Sequence, residues 1–159
     1  MAEVLPALPM EGTRMVRLIR LVGGALGDYF EPIFRDCDIA EHGFHVLCLL
    51  LTARDESASP SELSEMIGTS RANMSRILVE LEKEGWIERT SAQRDRRRQH
   101  IRITPQGRAK ADAVAPMLTQ PILRAFAMLE PQEMEVLAKL LTRLASSLDE
   151  ASWPAENAA

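Results

Sequence analysis

Ser59-Pro60-Ser61-Glu62-Leu63, then Gly68-Thr69-Ser70-Arg71-Ala72-Asn73-Met74-Ser75-Arg76, then Arg94-Asp95-Arg96-Arg97-Arg98: these pieces of residues 59–108 decide the fold. Ser59 fits a helix N-cap, Pro60 the first helical position and Glu62 the reciprocal place in a capping box. The helix is short, with Leu63, Met66 and Ile67 expected inward, and Gly68 suits its end. Thr69 or Ser70 caps a second helix, on which Met74, Ile77, Leu78 and Leu81 recur at helical spacing and predict one buried face. Ala72, Arg76, Val79 and Lys83 then point outward, flanked by Asn73 and Ser75, with Arg71 at the boundary. Two short capped helices joined by a tight turn make a helix-turn-helix. Gly85 ends the second helix. Trp86 to Thr90 and Gln99 to Thr104 alternate as strands around a polar, arginine-loaded tip at 91–98, which predicts a β-hairpin wing.

Charge is concentrated in the same region. Residues 71–108 hold ten Lys/Arg against five Asp/Glu, whereas the rest of the chain holds nine against 18. A basic module inside an acidic protein points to a polyanion partner for that module alone.

Working outward, residues 1–12 carry two prolines and no helical period, and read as an arm. A helix from Thr13 places Met15, Leu18, Val22, Ala25 and Leu26 on one side. Gly23, Gly24 and Gly27 weaken it, and Pro32 is expected to kink or interrupt it. A second helix over 41–53 has Phe44, Leu47, Cys48 and Leu51 as its expected buried face, and residues 54–58 read as polar loop. Thr104-Pro105 caps and starts a long helical region that Pro116 and Pro121 should bend or break. Glu130-Pro131 starts a last helix with a stripe of Met134, Leu137, Leu140, Leu141, Leu144 and Leu148, and residues 151–159 should fray. Two amphipathic ends around a central module are suited to pairing between subunits. The fold class is therefore mainly α with a minor β part: a winged helix-turn-helix over 41–108 with flanking N- and C-terminal dimerisation helices, 13–36 and 109–150, in one 159-residue chain.

The chemistry follows from the residue types. A helix fits the major groove, where base edges carry a sequence code. Arg76 can reach guanine and Asn73 adenine, while Ser70, Arg71 and Ser75 can bond phosphate or base. Ser61, in the first turn of the scaffold helix, is a candidate phosphate contact. The wing arginines suit the narrow, electronegative minor groove. Asp95 is expected to pair with one of them and so direct its guanidinium.

Other chemistries find less support. Three histidines lack a recognisable nucleophile partner, and there is no phosphate-binding glycine loop, so an enzyme is not expected. His42 and His45 share a helix face without an evident third metal ligand, Asp38, Glu41 and His100 being the nearest options. Cys37 and Cys48 read as buried small residues, and Cys37 lies between Asp36 and Asp38, a poor setting for a sensing thiolate. No apolar run is long enough for a membrane span, no signal peptide is evident, and a cytoplasmic protein without cofactor is expected. A winged helix used for protein interaction, or a metal- or redox-responsive repressor, are the alternatives.

The motifs together resemble the MarR family of bacterial winged-helix regulators. The matching residues are Pro60-Ser61-Glu62-Leu63-Ser64, Ser70 to Arg76, Leu81-Glu82-Lys83-Glu84-Gly85-Trp86-Ile87-Glu88-Arg89, and Asp95-Arg96-Arg97-Arg98 followed by Ile103-Thr104-Pro105-Gln106-Gly107. The last is similar to the family's wing signature, Asp-x-Arg then Leu-Thr-x-x-Gly, with Ile103 in place of Leu. The wording is nearest to members that repress multidrug efflux pumps. The resemblance implies a homodimeric repressor on a pseudo-palindromic operator of double-stranded DNA, with Arg97 in the minor groove. It implies release by a small aromatic or lipophilic effector held between the lobes, where Phe30, Phe44, His45 and Met117, with Arg17 or Arg20, are candidates. The family often caps a helix with Ser or Thr where this chain has Ala40, so the cap is expected from elsewhere, such as Asp38.

Overall fold

The computed structural model describes residues 8–92 and 95–150, and side chains for 8–90 and 100–148; the described residues form six α-helices, a 3-10 turn and three strands. Residues 1–7 of the arm expected at 1–12, and the tail at 151–159, lie outside the described residues. The chain divides into two units, Met1–Pro121 and Ile122–Ala159.

The first unit begins with α1, Met10–Asp36. Met10, Glu11 and Gly12 are thus helical, three residues earlier than the sequence suggests, with Pro9 at the N-cap. The helix runs through Pro32 without interruption. α5, Pro105–Ala125, likewise continues through Pro116 and Pro121. Each proline removes one N–H from the helical ladder. The carbonyls that lose a partner belong to Asp28, Asp112 and Met117, all exposed residues where water can replace the missing donor.

α2 spans Glu41–Thr52 and starts at Ala40 with no side-chain cap. Asp38 does not supply one. It sits in the left-handed region (φ 50°), with its N–H on the Arg35 carbonyl. The buried face of α2 is Gly43, Phe44, Val46, Leu47 and Leu50; Cys48 and Leu51, expected inward, are only half-buried. α2 touches α1, α3, α4 and the sheet, so it is enclosed on more than one side and a single apolar stripe underdescribes it.

Residues 54–58 are not plain loop. A 3-10 turn at Arg54–Glu56 leads into β1, Ser57–Ala58, which pairs antiparallel with the wing through Ser57↔Arg102 and Ala58↔Ile101. Asp55 and Glu56 take positive φ in that turn, and Glu56 is held there by an ion pair to Arg108. β2, Ile87–Ala92, and β3, Asp95–Ile103, complete a sheet of order β1-β3-β2.

α3, Pro60–Ile67, carries the complete capping box of Ser59 and Glu62 and ends at Gly68 (φ 70°). Leu63 is fully buried, but Met66 is 65% exposed. Its expected place is taken by Ser64, whose hydroxyl donates to the Ser61 carbonyl at 2.8 Å and so enters the core with its hydrogen bond made. α4, Arg71–Lys83, buries Met74, Ile77, Leu78 and Leu81, as its spacing predicts. These residues join Leu47, Leu50, Leu63, Ile87, Ile101, Val114 and Leu118 in one aliphatic core.

The second unit holds α6, Pro131–Glu150. Its first turn is closed by Glu133, which accepts from the Glu130 N–H at 2.9 Å. Met134, Leu137, Leu140, Leu141, Leu144 and Leu148 are all exposed.

Candidate nucleic-acid interface

The recognition element is α4, and its sequence explains its start. The Ser70 hydroxyl accepts from the Asn73 N–H at 3.2 Å, satisfying a donor that the helix leaves free. Asn73 also donates from Nδ2 to Thr69 Oγ1 at 2.8 Å. That uses one of its two amide hydrogens and leaves the other, with Oδ1, for a base edge. The Ser75 hydroxyl donates to the Arg71 carbonyl at 2.9 Å. Arg71 and Arg76 are exposed, and neither is in an ion pair with a described residue. Of the five residues singled out on this helix, three are fastened locally and two guanidinium groups project into solvent. Ser61 is exposed in the first turn of α3, its carbonyl holding Ser64.

The wing is less fully described. Arg94 lies outside the described residues, as do the side chains of Asp95, Arg96, Arg97 and Arg98. The backbone of β3 starts at Asp95, so residues expected at a polar tip lie on the ladder instead. The register runs from Ile87↔Ile103 to Ser91↔Gln99 and shifts before Ala92↔Asp95. A paired stalk therefore reaches Ser91↔Gln99, and Arg96, Arg97 and Arg98 fall in the irregularity between that pair and Ala92↔Asp95.

Several residues hold the wing against α4 through contacts that the sequence alone did not show. Arg89 on β2 forms an ion pair with Glu82 on α4 at 2.8 Å. Gly85 (φ 74°) ends the helix in a conformation that side chains resist, and the Trp86 N–H returns to the Leu81 carbonyl at 2.9 Å. Thr104 then clasps the wing's return to that helix end. Its N–H donates to the Trp86 carbonyl at 3.0 Å, its hydroxyl donates to the Gly85 carbonyl at 2.7 Å, and the same oxygen accepts from Gly107 N–H at 3.0 Å, capping α5. Gly107 packs against Trp86 so closely that a Cβ would fall 2.0 Å from the Trp86 carbonyl oxygen. Lys110, one turn on, places its ammonium 4.6 Å from the Trp86 ring centroid and donates to the Cys37 carbonyl at 2.7 Å. Glu82, Gly85, Trp86 and Arg89 stand in the stretch that resembles the family, and Thr104 and Gly107 in its wing signature, without their contacts being legible; Lys110 carried no signal.

The other candidates fall as follows. His42, His45 and Cys48 line one cleft of about 500 Å³ with Glu41, Met66 and Ile67. Among the described residues no group of three His, Cys, Asp or Glu side chains is placed to hold a metal ion. Burial pushes the Cys48 thiol above its ordinary value of 9.0, which disfavours a thiolate. Phe44 is core, 7% exposed, packed on Phe34 at 5.8 Å. Phe30 meets Tyr29 edge-on, His45 stands against Phe34 and Phe44, Met117 is exposed on α5, and Arg17 and Arg20 are exposed on α1. No helix among the described residues is long and apolar enough to cross a membrane.

This geometry matches known proteins. The sequence profile of the MarR family matches residues 41–98. The transcriptional repressor MprA of Escherichia coli is 37% identical over 142 residues, covering 89% of this chain and 81% of MprA. This chain belongs to the MarR family. Its family and relatives are transcriptional regulators rather than enzymes. Solved structures share its fold. One is Sco3205, a MarR-family regulator from Streptomyces coelicolor in complex with DNA, with TM-score 0.81 and 23% identity over 89% of each chain. Another is BpsR of Bordetella bronchiseptica, whose DNA binding is regulated by 6-hydroxynicotinic acid, with TM-score 0.74 and 22% identity over 81% of this chain and 91% of that one.

Proposed function

We propose that this MarR-family chain represses transcription as a homodimer on a pseudo-palindromic operator, with α4 in the major groove and the arginine wing in the adjacent minor groove. The observation that carries this reading is the state of α4. Its inner face is fully anchored by Met74, Ile77, Leu78 and Leu81, while Arg71 and Arg76 stand exposed on the outside with no ion pair to a described residue. A rigid helix offering free guanidinium groups is what bidentate readout of guanine uses. Ser70, Asn73, Ser75 and Ser61 supply further contacts to base or phosphate, and Arg94, Arg96, Arg97 and Arg98, with Asp95 directing one of them, supply the wing.

Dimerisation fits the apolar surface. Met15, Leu18 and Val22 on α1, and Leu137, Leu141 and Leu144 on α6, are each 38–54% exposed within one chain. Soluble monomers seldom leave long apolar stripes uncovered, and a second copy covers them by symmetry. A small aromatic or lipophilic effector is the proposed release signal, in line with the regulation of BpsR by 6-hydroxynicotinic acid. Footprinting on the DNA upstream of the protein's own gene and of neighbouring transporter genes tests the reading. Two protected half-sites related by a pseudo-dyad are expected. Protection of neither region contradicts it.

A further inference from the structure

A second cleft, of about 650 Å³, lies between the C-terminal half of α1, the start of α2 and the inner side of α4, within the size range of small-molecule sites. Its floor is apolar: Phe34, Ile39, Ile77 and Leu81 line it at 3–8% exposure, and half-buried Trp86 forms part of the wall. Its rim is acidic. Asp28 and Glu31 come from α1, Asp38 and Glu41 from the turn into α2, and Glu80 and Glu84 from the end of α4. One cation, Arg35, lines it as well, 3.7 Å from Glu31. The Lys110 ammonium near Trp86 is committed to the Cys37 carbonyl at 2.7 Å.

Six carboxylates around an apolar floor repel the carboxylate of an aromatic acid and attract an organic cation with a hydrophobic body. We propose that this cleft binds a lipophilic organic cation, an aromatic or alkyl ammonium. The floor buries its body and the rim balances its charge. Ile77, Glu80 and Leu81 belong to α4 and Glu84 caps its end, so the occupant touches the recognition helix directly, with Glu80 one turn on from Arg76. Occupancy thereby biases the position of α4 against α1 and α2, and with it DNA affinity. The proposal deepens the effector reading by fixing the ligand's charge, and rests on that reading only for the effect on DNA.

Fluorescence anisotropy of rhodamine 6G with the full chain tests it, with fluorescein as the anionic dye of the same ring scaffold. Saturable binding of rhodamine 6G, one dye per chain, with fluorescein at least about tenfold weaker, is expected. The double variant Glu80→Gln/Glu84→Gln changes two exposed side chains and should keep the fold by circular dichroism. It should weaken the dye about tenfold, several-fold per exposed charge removed. In Gly27→Leu the new Cβ meets nothing within 4 Å, so its side chain can occupy the cleft and should exclude the dye. Equal affinity for both dyes overturns the proposal, as does affinity unchanged by both sets of substitutions. Gel-shifts on the protein's promoter separate the two readings. Normal DNA binding without saturable rhodamine 6G overturns the cleft proposal alone. Failure to bind DNA overturns the regulator reading and leaves the dye result to judge the cleft.

Discussion

Gly107 lies against Trp86 with no room for a side chain: a Cβ there would sit 2.0 Å from the Trp86 carbonyl oxygen and 2.9 Å from its carbon. The obstacle is backbone, not a flexible side-chain end. Gly107→Ala must therefore part α5 from the end of α4, and overpacking of this kind costs about 1–3 kcal/mol, or more when backbone has to move. A urea melt should show the midpoint fall by a corresponding amount. An unchanged midpoint would mean that α5 meets Trp86 less tightly than described.

Thr104 contributes differently. Its hydroxyl both donates to Gly85 and accepts from Gly107, so Thr104→Val leaves a helix N–H and a carbonyl without that partner. The expected loss is about 1–2 kcal/mol, read by thermal unfolding. Because the shape is preserved, Thr104→Ser should recover most of it. If serine fails where threonine works, the hydroxyl is not the reason.

Cys48 is expected to be unreactive. Burial raises its folded-state pKa, so its effect on stability is fully present below the unfolded thiol's pKa. It is lost only as pH rises through the folded value. In the neutral range Cys48 adds no pH dependence and little thiolate. In a Cys37→Ser background, its reaction with a disulfide reagent should be slower than that of a free cysteine, and peroxide should leave DNA binding unchanged. Fast labelling, or release of DNA by peroxide, would restore the redox-responsive alternative.

Leu141→Glu places a carboxylate in the middle of the exposed α6 stripe. If that stripe is a subunit interface, sedimentation should show monomer where the parent protein shows dimer. Affinity for a two-half-site operator should fall at least about tenfold, since the second half-site no longer binds intramolecularly. A dimer that survives the substitution would locate the interface elsewhere.

The sequence was most legible where one face decides everything. α4 has four apolar residues at helical spacing and packs by one side, and all four are buried. The capping box of Ser59 and Glu62 is equally local, and the structure forms it. Legibility failed where tertiary context intervenes. α2 is enclosed by several neighbours, so Val46 and Leu50 are buried beyond the simple stripe. α3 has only eight residues, too few for the period to choose between Met66 and Ser64. β1 has two residues, and its identity comes from pairing with β3 rather than from its own pattern. The Thr104–Gly107 spacing marked a family; its physical meaning as a clasp on Gly85 and Trp86 needed coordinates. Lys110 and the Glu82–Arg89 pair join residues distant from or unrelated to any sequence period, and nothing local announces them.

Arginines of α4 and of the wing are proposed to bind operator DNA, and a salt titration of that binding tests the proposal most directly. For the parent protein, log affinity should fall linearly with log salt, with a slope of about −0.9 per phosphate neutralised. Arg76→Ala should keep most of that slope, lose about 1–3 kcal/mol on the specific site and relax preference at one base pair. Arg97→Ala should weaken binding most at A·T-rich flanks. Affinity independent of salt, and unaltered by either substitution, would contradict the account.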